Sequence, residues 1–339
     1  MKKQILMLED FDLTAVDQFQ QDHLYKTYLE NIKKLGAKHS VDIQSVDDTW
    51  NLINVMQKGA QREIGYVQWI ASQSGPGGCF EGMNLEELKE HGSYTKPAKN
   101  WKEGHIALKK KYKDEADIHI GIISMGLEPM IHGFLEKHDV GEELVEIVHA
   151  SNFSFDKKTG IINGINKIVG AYGKGEYLIS AIKGSNNLID KYMFPWEYKF
   201  SPRDVIVLGD GQTDTSIISV GIKNGATGIG VYTPQDFSAY TKTISALGQR
   251  AHCIAPRDYT PGEVLFNLLC DFIEEKIEKK CDFDPGLLHK YEKQNIPHAG
   301  TYDFVENHIK GCQECQDYFK QTIVTPNGNV KIKEISFVN

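Results

Sequence analysis

The chain has 339 residues, with 38 Lys and Arg against 46 Asp and Glu for a formal net charge of −8, and is 40% hydrophobic, 10% aromatic and 25% charged. These are globular values, which exclude wholesale disorder, and the length allows one large domain with an insertion or two domains. The acidic balance argues against nucleic acid or an anionic membrane as the main partner.

In the opening MKKQILMLEDFDLT the apolar run is broken at once by Glu9 and Asp10, short of the roughly 7–15 apolar residues of a secretory signal. No uncharged apolar run reaches the ~18 residues of a membrane span. The six cysteines, at 79, 253, 270, 281, 312 and 315, are too irregularly spaced for a disulfide framework. The expectation is a cytoplasmic protein with no membrane association.

Residues 5–8 make a short Ile- and Leu-rich run that predicts a buried strand. The next such run is 118–123, and the intervening stretch is far longer than one crossover connection needs. It reads as mostly helical with a glycine-rich break, SGPGG at 74–78, which predicts an inserted helical cap over residues 18–104. KKKYKDE at 109–115 reads as a solvated helix face. A helix over 126–136 follows the second strand, a further strand is expected near 146–151, and a strand at 205–208 leads into a helix over 213–223. Strands near 228–232 and 251–254 complete the series. Repeated strand, turn and helix predict an α/β fold: a Rossmann-like, doubly wound parallel sheet built from residues 1–17 and 105–275. Residues 276–339 read as a tail or small subdomain, loop-like over 281–300, with a hairpin at the Asn-Gly of PNGN, 326–329.

Ligands of open α/β sheets bind beyond the carboxyl ends of the strands. Three predicted strands end in polar residues there: Asp10 and Asp12 after the first, Ser124 after the second, Asp210 and Asp214 after the third. Four carboxylates on one rim repel one another and call for a cation; oxygen donors without a His or Cys cluster favour a hard ion such as Mg²⁺. A carboxylate beside Mg²⁺ suits phosphoryl transfer through an aspartyl-phosphate, with a lysine completing the anion cradle. Lys174, which opens a predicted helix, is the first candidate and Lys183 the second.

The ordered set DFDLT, IISMG, KGEYL and GDGQTD resembles the four motifs of the haloacid dehalogenase-like superfamily in its phosphatase branch, and the cap after the first strand is similar to that of the phosphoserine phosphatase-like group. The resemblance covers roughly residues 1–270 and is carried by the four motifs together. It implies a Mg²⁺-dependent phosphatase with Asp10 as nucleophile and Asp12 as general acid and base, the latter also offering its main-chain carbonyl to the metal. It implies Ser124 and the Met125 amide as phosphate contacts, Lys174 as the phosphate-neutralising lysine, Asp210 as a direct metal ligand and Asp214 as an outer one. An acid two residues after the nucleophile suits an alkoxide leaving group, which needs a proton, and not a halide, which needs none. Phosphoserine phosphatases place Glu nine residues after the nucleophile; Phe19 stands there, which argues against serine phosphate.

Outside these motifs, Arg62 falls in the predicted cap, where a guanidinium would suit a substrate carboxylate or second phosphate, and Tyr66 and Trp69 read as cap core. His308, Cys312 and Cys315 have an H-x3-C-x2-C spacing that resembles part of the zinc site of anti-sigma factor modules, with His298 or Cys281 as a fourth Zn²⁺ ligand. The expected partner is a small phosphorylated metabolite. The alternatives are a phosphotransferase using the same intermediate, and a regulatory protein with a vestigial site and a zinc-binding tail.

Overall fold

The computed structural model describes residues 2–35, 51, 62–184 and 198–278. By its internal contacts the chain divides into two compact units, Met1–Lys276 and Ile277–Asn339. The first holds a seven-stranded sheet of β1 (Lys3–Glu9), β2 (Ala116–Leu127), β3 (Ile147–Phe155), β4 (Ile162–Lys167), β5 (Val205–Gly209), β6 (Thr227–Tyr232) and β7 (Cys253–Pro256). Its order is β4-β3-β2-β1-β5-β6-β7, and every pairing is parallel except β3 with β4.

Helices cover both faces, which is why the central strands read as unbroken apolar runs: the five residues of β5 are all buried, as are Ile5 to Glu9 in β1. Leu6 and Leu8 pack with residues of α6 (Lys174–Lys183) and α7 (Thr215–Lys223). The alternate residues Glu9 and Phe11 meet α4 (Trp101–Lys111) and α5 (Glu128–Lys137) on the opposite face. Helices α8 (Phe237–Leu247) and α9 (Val264–Glu278) follow β6 and β7.

Between β1 and β2 lie α1 (Asp22–Leu35), α2 (Arg62–Gln73), α3 (Leu85–Ser93) and then α4. Trp69 is buried against the rings of Tyr25, Tyr28 and Phe80, so it is core. The same apolar cluster takes in Leu127, Phe153 and Ile162 of the strands and Met130 of α5, so these helices share a core with the sheet layer. Helices α3 and α5 cross at glycines: a Cβ at Gly92 would collide with the Met130 carbonyl, and one at Gly133 with the Lys89 carbonyl. Helix α4 runs through residue 104, the expected cap boundary, and its Trp101 and His105 both bond to Glu9 of β1. The lysine run ending α4 faces solvent as expected, with Lys110, Lys111 and Lys113 exposed; Lys111 pairs at the surface with Glu274 of α9, and Lys109 donates to the Glu143 carbonyl.

Cys79, Cys253 and Cys270 are free thiols. No helix among the described residues is long and apolar enough to cross a membrane. The expected hairpin at 326–329 and loop at 281–300 lie outside the described residues.

Candidate active site

Register brings the predicted residues to one rim. Glu9 pairs with Ile122 of β2 on one side and with Leu208 of β5 on the other. The three strands are therefore level at this rim: β1 ends at Glu9 and β5 at Gly209, while β2 runs on past Ile122 through Ser124 to Leu127. The chain runs outward from β1 through β2 and β3, then returns to the other side of β1 at β5. The rim between β1 and β5 is thus the topological switch point, where such sheets bind ligands.

Past β1, the Asp10 amide still donates to the Leu208 carbonyl at 3.0 Å, and the chain then winds into a single wide turn, Phe11–Ala15, closed by the Val16 amide on the Phe11 carbonyl. Leu13 takes φ 55° in this turn, a left-handed conformation costing an L-residue ~1–2 kcal/mol. The turn carries the Asp12 carboxylate to the Gln20 amide, which donates to Oδ1 at 2.8 Å.

Lys174 opens α6, and its ammonium is 2.7 Å from Asp10 Oδ1 and 2.7 Å from Asp214 Oδ1. It is 1% exposed, so the first lysine candidate reaches the rim. Lys183 lies nine residues further along α6, ~13 Å of helix away. The other oxygen of Asp214 accepts the amides of Asp210 and Gly211 at 3.0 and 3.3 Å, so that carboxylate is fully engaged by the protein. Thr243 of α8 donates to the Asp210 carbonyl at 2.7 Å. Carboxylate oxygens of Asp10, Asp210 and Asp214 lie within 4.8 Å of one another.

This cluster carries more negative than positive charge, and the acids respond. Burial, then the charge of Asp214, push Asp10 up to about 7 against the pull of Lys174. Burial, then Asp10, push Asp12 up to about 8, and burial with Asp214 and Asp10 holds Asp210 well above the carboxylate range. Burial alone would lower Lys174; Asp10 and Asp214 outweigh it and raise it. Buried hard oxygen donors with excess negative charge fit a small divalent cation such as Mg²⁺.

Ser124 lies where β2 bulges: the ladder to β3 shifts between Ile123 and Leu127. Its Oγ accepts the Gly126 amide at 3.0 Å, leaving the hydroxyl proton to donate elsewhere. Ser151 Oγ donates to the Met125 carbonyl at 3.1 Å and accepts the Val169 amide at 2.9 Å, which fixes the turn from behind.

Arg62 is the first residue of α2, and its side chain lies outside the described part of the structure. His308, Cys312, Cys315, His298 and Cys281 lie outside the described residues altogether. Phe19 is 44% exposed. Tyr66 is buried against Tyr25, its hydroxyl pushed up by burial and then by the charge of Asp12, so this core residue also borders the site.

Sequence reasoning missed two features. One is Gln20, which no motif marks. The other is a fully buried network on the far face of β1: Glu9 accepts from Trp101 Nε1 at 2.8 Å and pairs with His105 Nε2 at 2.8 Å. The acidic residue ending an apolar strand was its one signal.

No family model and no curated protein matches the sequence. Solved structures do resemble its fold. A cytosolic 5'-nucleotidase IIIB bound to cytidine superposes with a TM-score of 0.50 at 16% identity, covering 81% of this chain and 86% of that one. A phospho-aspartyl intermediate analogue of a phosphoserine phosphatase gives 0.48 at 17% identity, covering 80% and 99%. A HAD-family hydrolase from Salmonella enterica serovar Typhi gives 0.47 at 14% identity, covering 81% and 72%. At such identities the likeness is one of fold.

Proposed function

We propose that the chain is a magnesium-dependent phosphatase of the haloacid dehalogenase-like superfamily, close to its phosphoserine phosphatase-like group, acting on a small phosphomonoester through an aspartyl-phosphate on Asp10. One observation carries this reading: a buried lysine bridges two carboxylates, Asp10 and Asp214, at the register-matched ends of β1 and β5, with a third, Asp210, in the same cluster.

The Asp10 carboxylate attacks phosphorus as the ester P–O bond breaks, and Asp12 passes its proton to the departing alkoxide. Raised to about 8, Asp12 holds that proton at neutral pH, as a general acid must. Water then gives a proton to Asp12 and its oxygen bonds to phosphorus, which expels the Asp10 carboxylate. Lys174, the Ser124 hydroxyl and the Met125 amide hold the phosphoryl oxygens, while Asp214 holds Lys174 in place. Asp10, Asp210 and the main-chain carbonyl of Asp12 would hold Mg²⁺, which when bound neutralises charge on the carboxylates and the transferring group. Two successive displacements replace one that is among the slowest known uncatalysed reactions.

The test is capture of the intermediate. Wild-type protein mixed with Mg²⁺ and a panel of phosphomonoesters, quenched in acid and digested, should yield a peptide phosphorylated at Asp10 that Asp10→Asn does not. Neither phosphopeptide nor released phosphate across the panel would overturn the reading. Adding glycerol separates hydrolysis from phosphotransfer, since a transferase forms glycerol phosphate at the expense of free phosphate.

A further inference from the structure

Gln20 is completely buried beside Asp12, and each of its polar groups has a distinct setting. The main-chain N–H donates to Asp12 Oδ1 at 2.8 Å. The side-chain Oε1 accepts the Leu127 amide at 2.9 Å. Only an oxygen can accept that N–H, so the orientation of the carboxamide is fixed and Nε2 points the other way. Nε2 is buried with no hydrogen-bond partner among the described residues. It lies against Gly126, where an added Cβ would collide with it, and Gly126 is the residue whose amide holds Ser124 Oγ. Gly126 is thus needed as glycine because the carboxamide lies flat on it.

We infer that Gln20 is a positioning residue for the acid–base step, tying Asp12 to the phosphate-binding turn and fixing which Asp12 oxygen carries the proton; this rests on the phosphatase reading above. Asp12 Oδ1 already accepts an N–H, so the acidic proton sits on Oδ2. As the ester P–O bond breaks, that proton moves from Oδ2 to the leaving oxygen. In the second step Oδ2 takes a proton from the water whose oxygen bonds to phosphorus, and the Asp10 carboxylate leaves. The anchor on Leu127 holds residue 20 so that its N–H stays aimed at Oδ1. A buried donor without an acceptor is costly, and a phosphoryl oxygen seated in the 124–127 turn supplies the acceptor that Nε2 lacks.

The experiment compares two substrates: a nitrophenyl phosphate, whose leaving group departs without a proton, and an alkyl phosphate, whose leaving group needs one. A positioned general acid is worth ~10²–10⁴-fold. Gln20→Ala should therefore lower kcat on the alkyl ester at least ~10-fold more than on the aryl ester, a pattern that Asp12→Asn reproduces more strongly. Gln20→Glu keeps an oxygen for Leu127 but removes the Nε2 donor, and should weaken inhibition by inorganic phosphate by ~10-fold. Equal losses on both esters in Gln20→Ala, with Asp12→Asn still selective, would overturn the role of Gln20 and leave the phosphatase standing. So would a fall in melting temperature that accounts for all the lost activity. A wild-type protein that turns over neither ester would overturn both.

Discussion

Two buried ionic clusters sit on opposite faces of the same strand end, and they are built on opposite accounts of charge. On one face Glu9 meets His105 and the Trp101 indole, and both ring nitrogens of His105 are used, the second at 2.6 Å from the Trp101 carbonyl. One acid faces one base and every polar atom has a partner. On the other face the ammonium of Lys174 bridges Asp10 and Asp214, and Asp210 adds a third carboxylate to the same cluster. The first cluster is complete as folded and serves to fasten α4 to β1. The second is left in electrostatic deficit, and burial and the neighbouring carboxylates raise Asp10 and Asp210 above the ordinary carboxylate range. Burial is common to both, so the informative difference is balance. A satisfied cluster marks architecture, and an unsatisfied one has the chemistry to receive a cation.

The comparison can be broken at either cluster. The largest effect is expected from Asp10→Asn, which should lower phosphate release by at least ~10⁴-fold, as loss of a covalent nucleophile does. The same substitution should raise the melting temperature of metal-free protein near neutral pH, because it removes one of several crowded carboxylates. On the balanced face, His105→Ala or Glu9→Gln should destabilise by about 3–5 kcal/mol, since each strands a buried partner; chemical denaturation with an unchanged slope would measure it. Next in size, Mg²⁺ at ~100 times its dissociation constant should stabilise wild type by ~2.7 kcal/mol. That gain should vanish in Asp210→Asn and survive in Glu9→Gln.

Stability against pH gives the finest separation. His105 is raised, because the charge of Glu9 and their hydrogen bond outweigh burial, which alone would lower it. Its contribution is therefore complete below the unfolded value of 6.5 and is lost as pH rises through the higher folded value. Asp10 is raised from 3.8 to about 7, so its contribution has the same sign and is lost over that lower window. Melting curves should fall with pH in both windows. Mg²⁺ should flatten the lower one alone, and a loss that Mg²⁺ leaves intact in both would contradict the assignment of the second cluster.

Legibility in the sequence followed the range of the interactions concerned. Strands β1, β2 and β5 are local apolar runs, and their polar ends could be read directly as a rim of carboxylates. β4 escaped because INGINK has neither a continuous apolar run nor clean alternation. It is set by the turn before it, where Asp156 Oδ1 accepts the amides of Lys158 and Thr159 at 3.0 and 2.9 Å and Gly160 takes φ 70°. Helices between β1 and β2 were expected, but not that their apolar faces would merge with Met130, Phe153 and Ile162. Lys174 was legible because it opens a helix beside glycines. Glu9 and His105 are 96 residues apart, and Gln20 reaches Leu127 across 107. Neither pairing leaves a periodic or spaced signature, since each depends on where the folded strands bring the chain.

The Glu9–His105 pair also constrains how this chain can drift. Replacing either partner alone leaves a bare charge in the interior beneath Asp10, while exchanging both for apolar residues of matching size would be tolerated far better. The two positions are therefore coupled in heredity although they lie in different segments, and an intermediate carrying only one change would be the poorest folder of the series.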